Sequence, residues 1–318
     1  DRRRVMTRHV AAIDIGTNST NLLVRRADGS VLERHVNITR LGRGVDTSRR
    51  LAADAIERTC EVLRQYSDRL SRHDVDVARD LRVVTTSAAR DAINRDEFFT
   101  SVRDAIGRDP EVVSGDDEGR LAHRGALTDL DIGSGWHLLV DIGGGSTELV
   151  LGESTPNGVV MRAVRSLDVG AVRLTERHLQ GDPPRPEELT NAIGDAYDLI
   201  DDALREVPDM QLASRLVGSA GTIVTTAAVE VGQREFDPSA LHGFVLERSA
   251  VEDVFRTLAT ESVADRVHNP GLPADRADVI VGGLCVLVAV MRRWDARNIL
   301  VSAHNIMDGI CAELLETP

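Results

Sequence analysis

The sequence predicts an α/β protein made of two related halves, and three observations support this. A stretch of the chain occurs twice, at 12–24 and at 139–151, without a gap and at an offset of 127 residues. In each copy an apolar run enters an aspartate, a Gly-rich turn follows and a second apolar run leaves it, which is typical of a β-hairpin with a tight loop. After each copy, strand and helix patterns alternate. We therefore expect a duplicated α/β fold with a cleft between its two halves.

The first half is predicted to have the order βββαβαβα. Strands are expected at 9–15, 20–26, 31–38, 81–85 and 111–113, and helices at 51–71, from Ser87 onward and at 116–127. Residues 39–50 are polar, contain two glycines and four arginines, and are expected to form a loop.

The second half repeats this order after a Gly-Ser-Gly joint at 133–135. Strands are expected at 137–142, 147–152, 158–167, 214–218 and 297–301, and helices at 170–179, 187–206, 221–230, 249–260, 273–293 and 305–315. The apolar run at 279–291 is too short to cross a bilayer and is expected to be a buried helix. We expect one domain over 1–131 and another over 132–318. For the last helix there is an alternative, in which it packs back against the first domain.

The overall charge argues against a nucleic-acid or membrane partner. The net charge is −13 and aromatic residues make up 3% of the chain, so neither a generally basic surface nor base stacking is expected. The sequence contains no lysine, and all 38 basic side chains are arginine. Contacts to phosphate must therefore come from arginine, backbone N–H groups or a metal ion.

Cysteine usage favours a reducing compartment, so we expect the protein to be cytoplasmic. The three cysteines, Cys60, Cys285 and Cys311, are odd in number and widely spaced, which argues against a disulfide framework or a zinc site. The basic start of the chain is not followed by the long apolar segment of a signal peptide.

Both Gly-rich turns are candidate phosphate-binding loops. Glycine permits close backbone approach and positive φ, so successive N–H groups can form an anion nest. For one such motif alone a plain Gly-rich turn is the better explanation, but the duplication reverses this and favours binding. The candidate residues are Gly16, Thr17, Asn18 and Ser19 in the first copy, and Gly143, Gly144, Gly145 and Ser146 in the second.

Three acidic residues in the hairpins are candidate metal ligands. Asp141 ends a buried strand, where it either caps its own turn or holds a divalent cation. Glu148 follows on the returning strand and is the natural second carboxylate, unless it is an exposed strand residue. Asp14 has the same position in the first copy and is a candidate metal or water ligand.

Two further features lie outside the hairpins. Asp116, Asp117 and Glu118 stand at an expected helix start, where acids complement the helix dipole but one of them can also serve as a general base. Arg90 follows a buried strand near a helix start, a setting that favours phosphate, although a surface salt bridge to Asp91 or Asp96 would also explain it. More generally, the arginines that could line a path for a polyanion are Arg40, Arg43, Arg165, Arg173 and Arg276.

Motifs along nearly the whole chain resemble the exopolyphosphatase/guanosine pentaphosphate phosphatase family of the actin-like superfamily. The segments that carry the resemblance are 12–19, 86–94, 114–121, 140–149, 218–222, 276–280 and 301–310. The resemblance implies a duplicated actin-like fold in a short, two-domain member. It also implies hydrolysis of the terminal phosphate of inorganic polyphosphate, and of guanosine pentaphosphate as a second substrate, by a homodimer.

The resemblance also assigns roles to individual residues. It implies that Glu118 activates the attacking water and that Asp141 and Glu148 hold Mg²⁺, with Mn²⁺ as a substitute. Most members of the family have Glu at the position of Asp117. In the segment 301–309, Ala303 and Asn305 also stand where the family often has acids.

Two other functions fit parts of the pattern. A nucleotide- or alarmone-binding regulatory protein would use the cleft as a switch, but it would not need the acidic motif at 116–118. In actin-like proteins the segment matching 218–222 cradles adenosine, so this segment could bind substrate or a nucleotide regulator. A sugar kinase would use the same hairpins, but no sugar-binding insertion is evident.

Overall fold

Apart from a few short elements, strands and helices follow one another along the chain in the predicted order. The computed structural model describes residues 8–317; the basic start of the sequence lies almost entirely outside the described residues. The strands are β1 (His9–Ile15), β2 (Ser19–Arg26), β3 (Val31–Ile38), β4 (Leu81–Thr85), β5 (Glu111–Val112), β6 (Gly135–Ile142), β7 (Thr147–Thr155), β8 (Gly158–Leu167), β9 (Arg215–Ser219), β10 (Val245–Glu247) and β11 (Asn298–Val301). The α-helices are α1 (Val45–Ser48), α2 (Ala53–Arg72), α3 (Ser87–Asp91), α4 (Arg95–Ile106), α5 (Gly115–Ala126), α6 (Ala171–His178), α7 (Pro186–Glu206), α8 (Ala220–Glu230), α9 (Arg248–Thr260), α10 (Val263–Arg266), α11 (Ile280–Arg293) and α12 (Ile306–Glu316). Short 3₁₀ helices lie at Pro208–Leu212, Pro238–Leu241 and Ala274–Arg276.

The chain forms two units. The first unit contains the described residues up to Gly125 and those from Ile306 onward, and the second contains Ala126–Asn305. The boundary thus lies before the expected position at 131/132, and the last helix belongs to the first unit, as the alternative assignment had it.

The two sheets have equivalent topologies. The first has the order β3-β2-β1-β4-β5, and the second has the order β8-β7-β6-β9-β11-β10. In the first sheet β1, β2 and β3 are antiparallel neighbours, and β1 also pairs in parallel with β4. In the second sheet β6, β7 and β8 are antiparallel neighbours, and β6 also pairs in parallel with β9. The sheets therefore confirm the predicted duplication, with β10 as an extra edge strand in the second.

Each unit buries its own apolar residues. In the first unit, α12 packs Met307, Ile310 and Cys311 against Ala12 of β1 and Leu23 of β2. In the second unit, α11 is buried along most of its length in a cluster that includes residues of β6, α7 and α9. The buried-helix prediction for 279–291 is confirmed.

Some elements differ from prediction because the local pattern did not reveal them. The expected helix 273–293 begins as a 3₁₀ turn at Ala274–Arg276 and becomes α-helical only at Ile280. The expected loop 39–50 contains the one-turn helix α1, and the three-residue strand β10 was not predicted. Elements this short carry too few residues for a periodic signal.

Among residues 8–317, no helix is both long and apolar enough to cross a membrane.

Candidate active site

The two Gly-rich loops close in the same way. The N–H of Gly16 donates to the Ser19 carbonyl at 2.9 Å, and the N–H of Gly143 donates to the Ser146 carbonyl at 3.0 Å. A Cβ atom on Gly143 would lie 3.1 Å from the Ser146 carbonyl oxygen, and one on Gly16 would lie 3.3 Å from the Ser19 carbonyl oxygen. Neither Gly16 nor Gly143 has a positive φ, so glycine is favoured here by close approach.

Helix α6 holds the carbonyl groups of the second loop. The N–H groups of Ala171 and Val172 donate to the carbonyls of Gly143 and Gly144 at 2.9 and 2.8 Å. The guanidinium Nε of Arg173 donates to the Gly145 carbonyl at 2.7 Å.

This arrangement determines where the loop N–H groups point. In a planar trans peptide the N–H points opposite to the C=O of the same unit. With three successive carbonyls turned toward α6, the N–H groups of Gly144, Gly145 and Ser146 point away from it. These three N–H groups donate to no turn or loop carbonyl within residues 8–317. Three adjacent donors on one side of a loop form an anion nest.

Gly170 and Arg173 allow α6 to lie this close to the loop. A Cβ atom on Gly170 would lie 2.7 Å from the carbonyl carbon of Gly144, so a larger residue would push the helix away. Arg173 is buried behind the loop, where it positions the Gly145 peptide. It was predicted to line a polyanion path, but the structure gives it this other contact.

In the first loop, residues 39–42 take the place of the helix. The N–H of Gly42 donates to the Thr17 carbonyl at 2.8 Å, and the N–H groups of Thr39 and Arg40 donate to the Asn18 carbonyl at 3.1 and 2.9 Å. The N–H groups of Asn18 and Ser19 therefore point to the opposite side. In both loops a neighbouring segment binds the loop carbonyls, and the loop N–H groups point to the opposite side.

The side chains of the first loop have partners within the unit. The Thr17 hydroxyl is buried and lies 2.8 Å from the Ser87 hydroxyl at the start of α3, where either can donate. The Ser19 hydroxyl accepts from the Asn21 amide at 3.1 Å. Because of these contacts, the backbone N–H groups are the main hydrogen-bond donors that this loop offers to phosphate.

A row of polar side chains crosses the second sheet beside its loop. Asp141 on β6 is in register with Glu148 on β7 and with Ser219 on β9, and Glu148 is in register with Ser166 on β8. Residues in register lie on the same face of a sheet. The Ser166 hydroxyl donates to Glu148 at 2.8 Å. Asp141 is 9% exposed and Glu148 is 1% exposed, so two carboxylates are buried on adjacent strands.

The row suits a hard divalent cation. Burial raises the pKa of Asp141 to about 6, partly offset by its hydrogen bond with Ser219, because the carboxylate has lost water. A bound cation offsets this cost, and oxygen donors of this kind are what Mg²⁺ prefers. Residues 8–317 contain no group of three or more His, Cys, Asp or Glu arranged as a metal cage. Mg²⁺ typically needs only one or two carboxylates and keeps several waters, so the residues fit it.

The first sheet has a different pair at the same place. Asp14 on β1 is in register with Asn21 on β2, and the Asn21 amide donates to Asp14 Oδ2 at 3.0 Å. At the offset of 127 residues, Asn21 corresponds to Glu148. The first copy therefore pairs its aspartate with an amide, and the role of Asp14 as a metal or water ligand stays a prediction.

Arg90 and Glu118 lie side by side in the first unit. Arg90 Nη1 donates to the Val113 carbonyl at 3.0 Å and makes a longer contact of 3.5 Å with Glu118 Oε2. The side chain of Arg90 is 26% exposed and that of Glu118 is 15% exposed, so both reach solvent. Both contacts are made by Nη1, and the guanidinium group has further N–H donors that can bind a phosphate oxygen.

The other acids of the motif have different surroundings. The Ser114 hydroxyl donates to Asp117 Oδ2 at 2.8 Å and accepts from the Asp117 N–H at 3.1 Å, which fixes the start of α5. Asp116 is exposed. Asp91, one of the two acids considered as a salt-bridge partner of Arg90, lies 3.9 Å from Arg49.

Two further predicted arginines are bound elsewhere. Arg165 pairs with Glu206 at 2.9 Å, and Arg276 donates to the Gly221 carbonyl and the Thr225 hydroxyl in α8. They serve to hold the second unit together.

The sequence reasoning missed Ser166, Ser219, Gly170 and Arg173 in these roles. Ser219 falls in the motif 218–222, and its place beside Asp141 follows from parallel pairing of β6 with β9. Gly170 lets α6 approach the loop backbone, and Arg173 donates from its side chain to a loop carbonyl. A single sequence gives no signal for either contact.

Comparison with known proteins places the chain in one family. The family model of the Ppx/GppA phosphatase family matches residues 13–317. The chain is 38% identical to "Exopolyphosphatase 2" of Mycobacterium tuberculosis, over 96% of this chain and 98% of that protein. It is 28% identical to the "Guanosine-5'-triphosphate,3'-diphosphate pyrophosphatase" of Vibrio cholerae, over 96% of this chain and 59% of that protein.

Solved structures show the same fold. The crystal structure of an exopolyphosphatase-like protein has a TM-score of 0.90 and 33% sequence identity, covering 96% of this chain and 98% of that one. The Aquifex aeolicus Ppx/GppA protein has a TM-score of 0.77 and 31% identity, covering 97% and 98%. The fold predicted from the motifs is confirmed.

Proposed function

The chain belongs to the Ppx/GppA phosphatase family, and we propose that it is an exopolyphosphatase that releases the terminal phosphate of inorganic polyphosphate. The observation that carries this proposal is the match over nearly the full length of both chains to a protein named exopolyphosphatase. The geometry within each unit supports it, because each unit has a loop that presents backbone N–H groups suited to phosphate oxygens.

In the proposed reaction, Glu118 is the general base. It takes a proton from a water molecule that attacks the terminal phosphorus, while the bond from this phosphorus to the bridging oxygen breaks and the shortened chain leaves. Arg90 lies beside Glu118 and donates to an oxygen of the same phosphate. The charge that develops on the phosphate oxygens is thereby matched by fixed donors.

The two loops bind and orient the substrate. The N–H groups of Gly144, Gly145 and Ser146 would bind phosphate oxygens in the second unit, and those of Asn18 and Ser19 would do so in the first. Because the carbonyls behind them are already held, these donors need little reorganisation on binding.

We propose that Asp141 and Glu148 hold Mg²⁺, with Mn²⁺ as a substitute. Their burial in register on adjacent strands supports this role. Bound there, a divalent cation would neutralise charge on the phosphate oxygens during displacement. Asp14 would contribute to metal or water binding, either through a water molecule or through its contact with Asn21.

We propose guanosine pentaphosphate as a second substrate. It has a terminal phosphoanhydride like that of polyphosphate, and the related Vibrio cholerae protein is named for a guanosine 5'-triphosphate, 3'-diphosphate substrate. The regulatory-protein alternative predicts binding of a nucleotide without strong phosphate release.

One assay separates these functions. The purified protein is incubated with Mg²⁺ and long-chain polyphosphate, guanosine pentaphosphate or ATP in parallel, and free orthophosphate is measured. We expect release from polyphosphate, and release from pentaphosphate would add the second activity. Absence of release from all three would overturn the proposal and favour a regulatory protein.

We also propose that the protein is a cytoplasmic homodimer. Cys60, Cys285 and Cys311 are buried free thiols, which agrees with a reducing compartment. Light scattering coupled to size-exclusion chromatography tests the assembly, and a mass of one chain would contradict it. Fractionation of cells tests the compartment.

A further inference from the structure

Residues 39–50, called here the basic segment, differ in charge from the rest of the protein. The segment contains four arginines and one acid, whereas the whole chain has a net charge of −13. It joins β3 to α2 and contains the one-turn helix α1. The catalytic proposal above uses none of its side chains.

The basic segment connects the two functional elements of the first unit. At its start, Thr39, Arg40 and Gly42 bind the carbonyls of the first phosphate loop. At its end, the Arg49 carbonyl accepts from the N–H of Ile93 at 2.9 Å, two residues after α3, which carries Arg90. The segment therefore extends from one predicted phosphate contact to the other.

Its backbone is held in an unusual shape. Arg40 and Arg49 have φ values of 52° and 55°, in the left-handed region that non-glycine residues rarely adopt. A Cβ atom on Gly42 would overlap the Thr17 side chain, so the segment packs tightly on the loop. Such conformations persist where the surroundings enforce them, and they cluster at functional sites.

Three arginine side chains of the segment face solvent. Arg43, Arg49 and Arg50 are exposed. Among the described residues, Arg43 and Arg50 form no ion pair, and Arg49 has only the 3.9 Å contact with Asp91. These cations differ from Arg165, which is bound by an acid of its own unit. They are available to an anionic ligand.

We propose that the basic segment binds the part of a linear polyphosphate chain that lies beyond the phosphate being hydrolysed, and so favours long chains over short ones. Each inner phosphate carries a negative charge, and the planar guanidinium group donates in pairs to phosphate oxygens. The segment contains no aromatic residue, so it offers no aromatic side chain on which nucleic-acid bases could stack. The identity of the ligand rests on the proposed function.

The test compares a triple variant with a charge-matched control. The variant is R43Q/R49Q/R50Q, and the control is R205Q/R234Q/R256Q, which changes exposed arginines of the second unit. Binding of end-labelled long-chain polyphosphate is followed by fluorescence anisotropy at several salt concentrations, with unlabelled tripolyphosphate as a competitor.

We expect the triple variant to bind long-chain polyphosphate about tenfold more weakly than the wild type, with a shallower salt dependence because fewer counterions are released. Tripolyphosphate should compete with wild-type strength to within roughly twofold, and the control should match the wild type.

Three results with these variants would overturn the inference. They are unchanged long-chain binding in the triple variant, equal weakening in the control, and equal loss of tripolyphosphate binding. Single-stranded RNA that displaces long-chain polyphosphate at equal phosphate concentration would also contradict it. This test measures binding and not phosphate release. A protein that releases no phosphate would therefore contradict the proposed function but would leave the outcome of the binding test open.

Discussion

Asp141 lies directly opposite Glu148 on neighbouring antiparallel strands, and both carboxylates are buried. The equivalent position opposite Asp14 in the first unit is Asn21, whose amide donates to that aspartate. The duplicated scaffold therefore carries two acids in one copy and an acid with an amide in the other. Two buried carboxylates at this spacing favour a cation more strongly than the neutral partner does.

The pair of carboxylates in the second unit predicts that Mg²⁺ binds there and stabilises the protein against heat. Glu148→Gln should remove most of the Mg²⁺-dependent rise in thermal stability, because a neutral amide binds the ion more weakly. In the wild type this rise corresponds to about 2–3 kcal/mol when Mg²⁺ is a hundredfold above its Kd. Differential scanning fluorimetry with and without Mg²⁺ measures it.

Glu153→Gln is the matched control, since Glu153 lies on the same strand but pairs with Arg162. It should keep the full Mg²⁺ response. A wild-type response in Glu148→Gln would remove this residue from the metal site.

Glu118→Gln should abolish phosphate release while substrate affinity is retained. Loss of a general base typically costs 10²–10⁴-fold, roughly, in turnover. The amide keeps the shape of the side chain beside Arg90. Single-turnover phosphate release and separate binding of polyphosphate by anisotropy distinguish the two effects.

Asp116→Asn changes the same charge two residues earlier, at an exposed position. Its turnover should stay close to that of the wild type. Near-normal turnover in Glu118→Gln would show that another group activates the water.

The sequence alone predicted the features that depend on repeated local patterns. The hairpins around Asp14 and Asp141 have strong alternation and a Gly-rich turn, so their strands were placed to within a few residues. Glu148 was chosen as the second carboxylate from its place on the returning strand, and the register with Asp141 agrees.

Other features depend on contacts distant in the chain. The carbonyls of Gly143 and Gly144 are held by α6, more than twenty residues later, and no local pattern encodes that packing. The contrast between Asn21 and Glu148 was readable from the 127-residue offset, but its meaning required the strand register.

Glu33 should make folding stability depend on pH in the acid range. Burial raises the pKa of Glu33, but hydrogen bonds from His73, His35 and Arg69 outweigh burial and lower its pKa to about 2. A carboxyl group with a lowered folded pKa stabilises the protein above its unfolded pKa near 4.5, and this stabilisation is lost as the pH falls toward 2.

Glu33→Gln should therefore reduce the free energy of unfolding by about 1–2 kcal/mol at neutral pH, because its partners lose a charged acceptor. The difference from the wild type should shrink as the pH falls below 4.5 and vanish near 2. Urea denaturation at a series of pH values measures it. A difference that stays constant across this range would contradict the assignment.

Arg173 should act as a positioning residue for the second phosphate loop. It is buried, and its Nε holds the Gly145 carbonyl, which directs the Ser146 N–H away from α6. Arg173→Gln should release this peptide and raise KM for polyphosphate about tenfold, which corresponds to one lost oriented hydrogen bond to a charged group. Since Glu118 and Arg90 in the first unit are unchanged, kcat should fall less than KM rises. Arg177→Gln on the exposed side of the same helix is the control and should leave both constants unchanged. A fall in kcat with no change in KM would show that Arg173 does not act by orienting the loop.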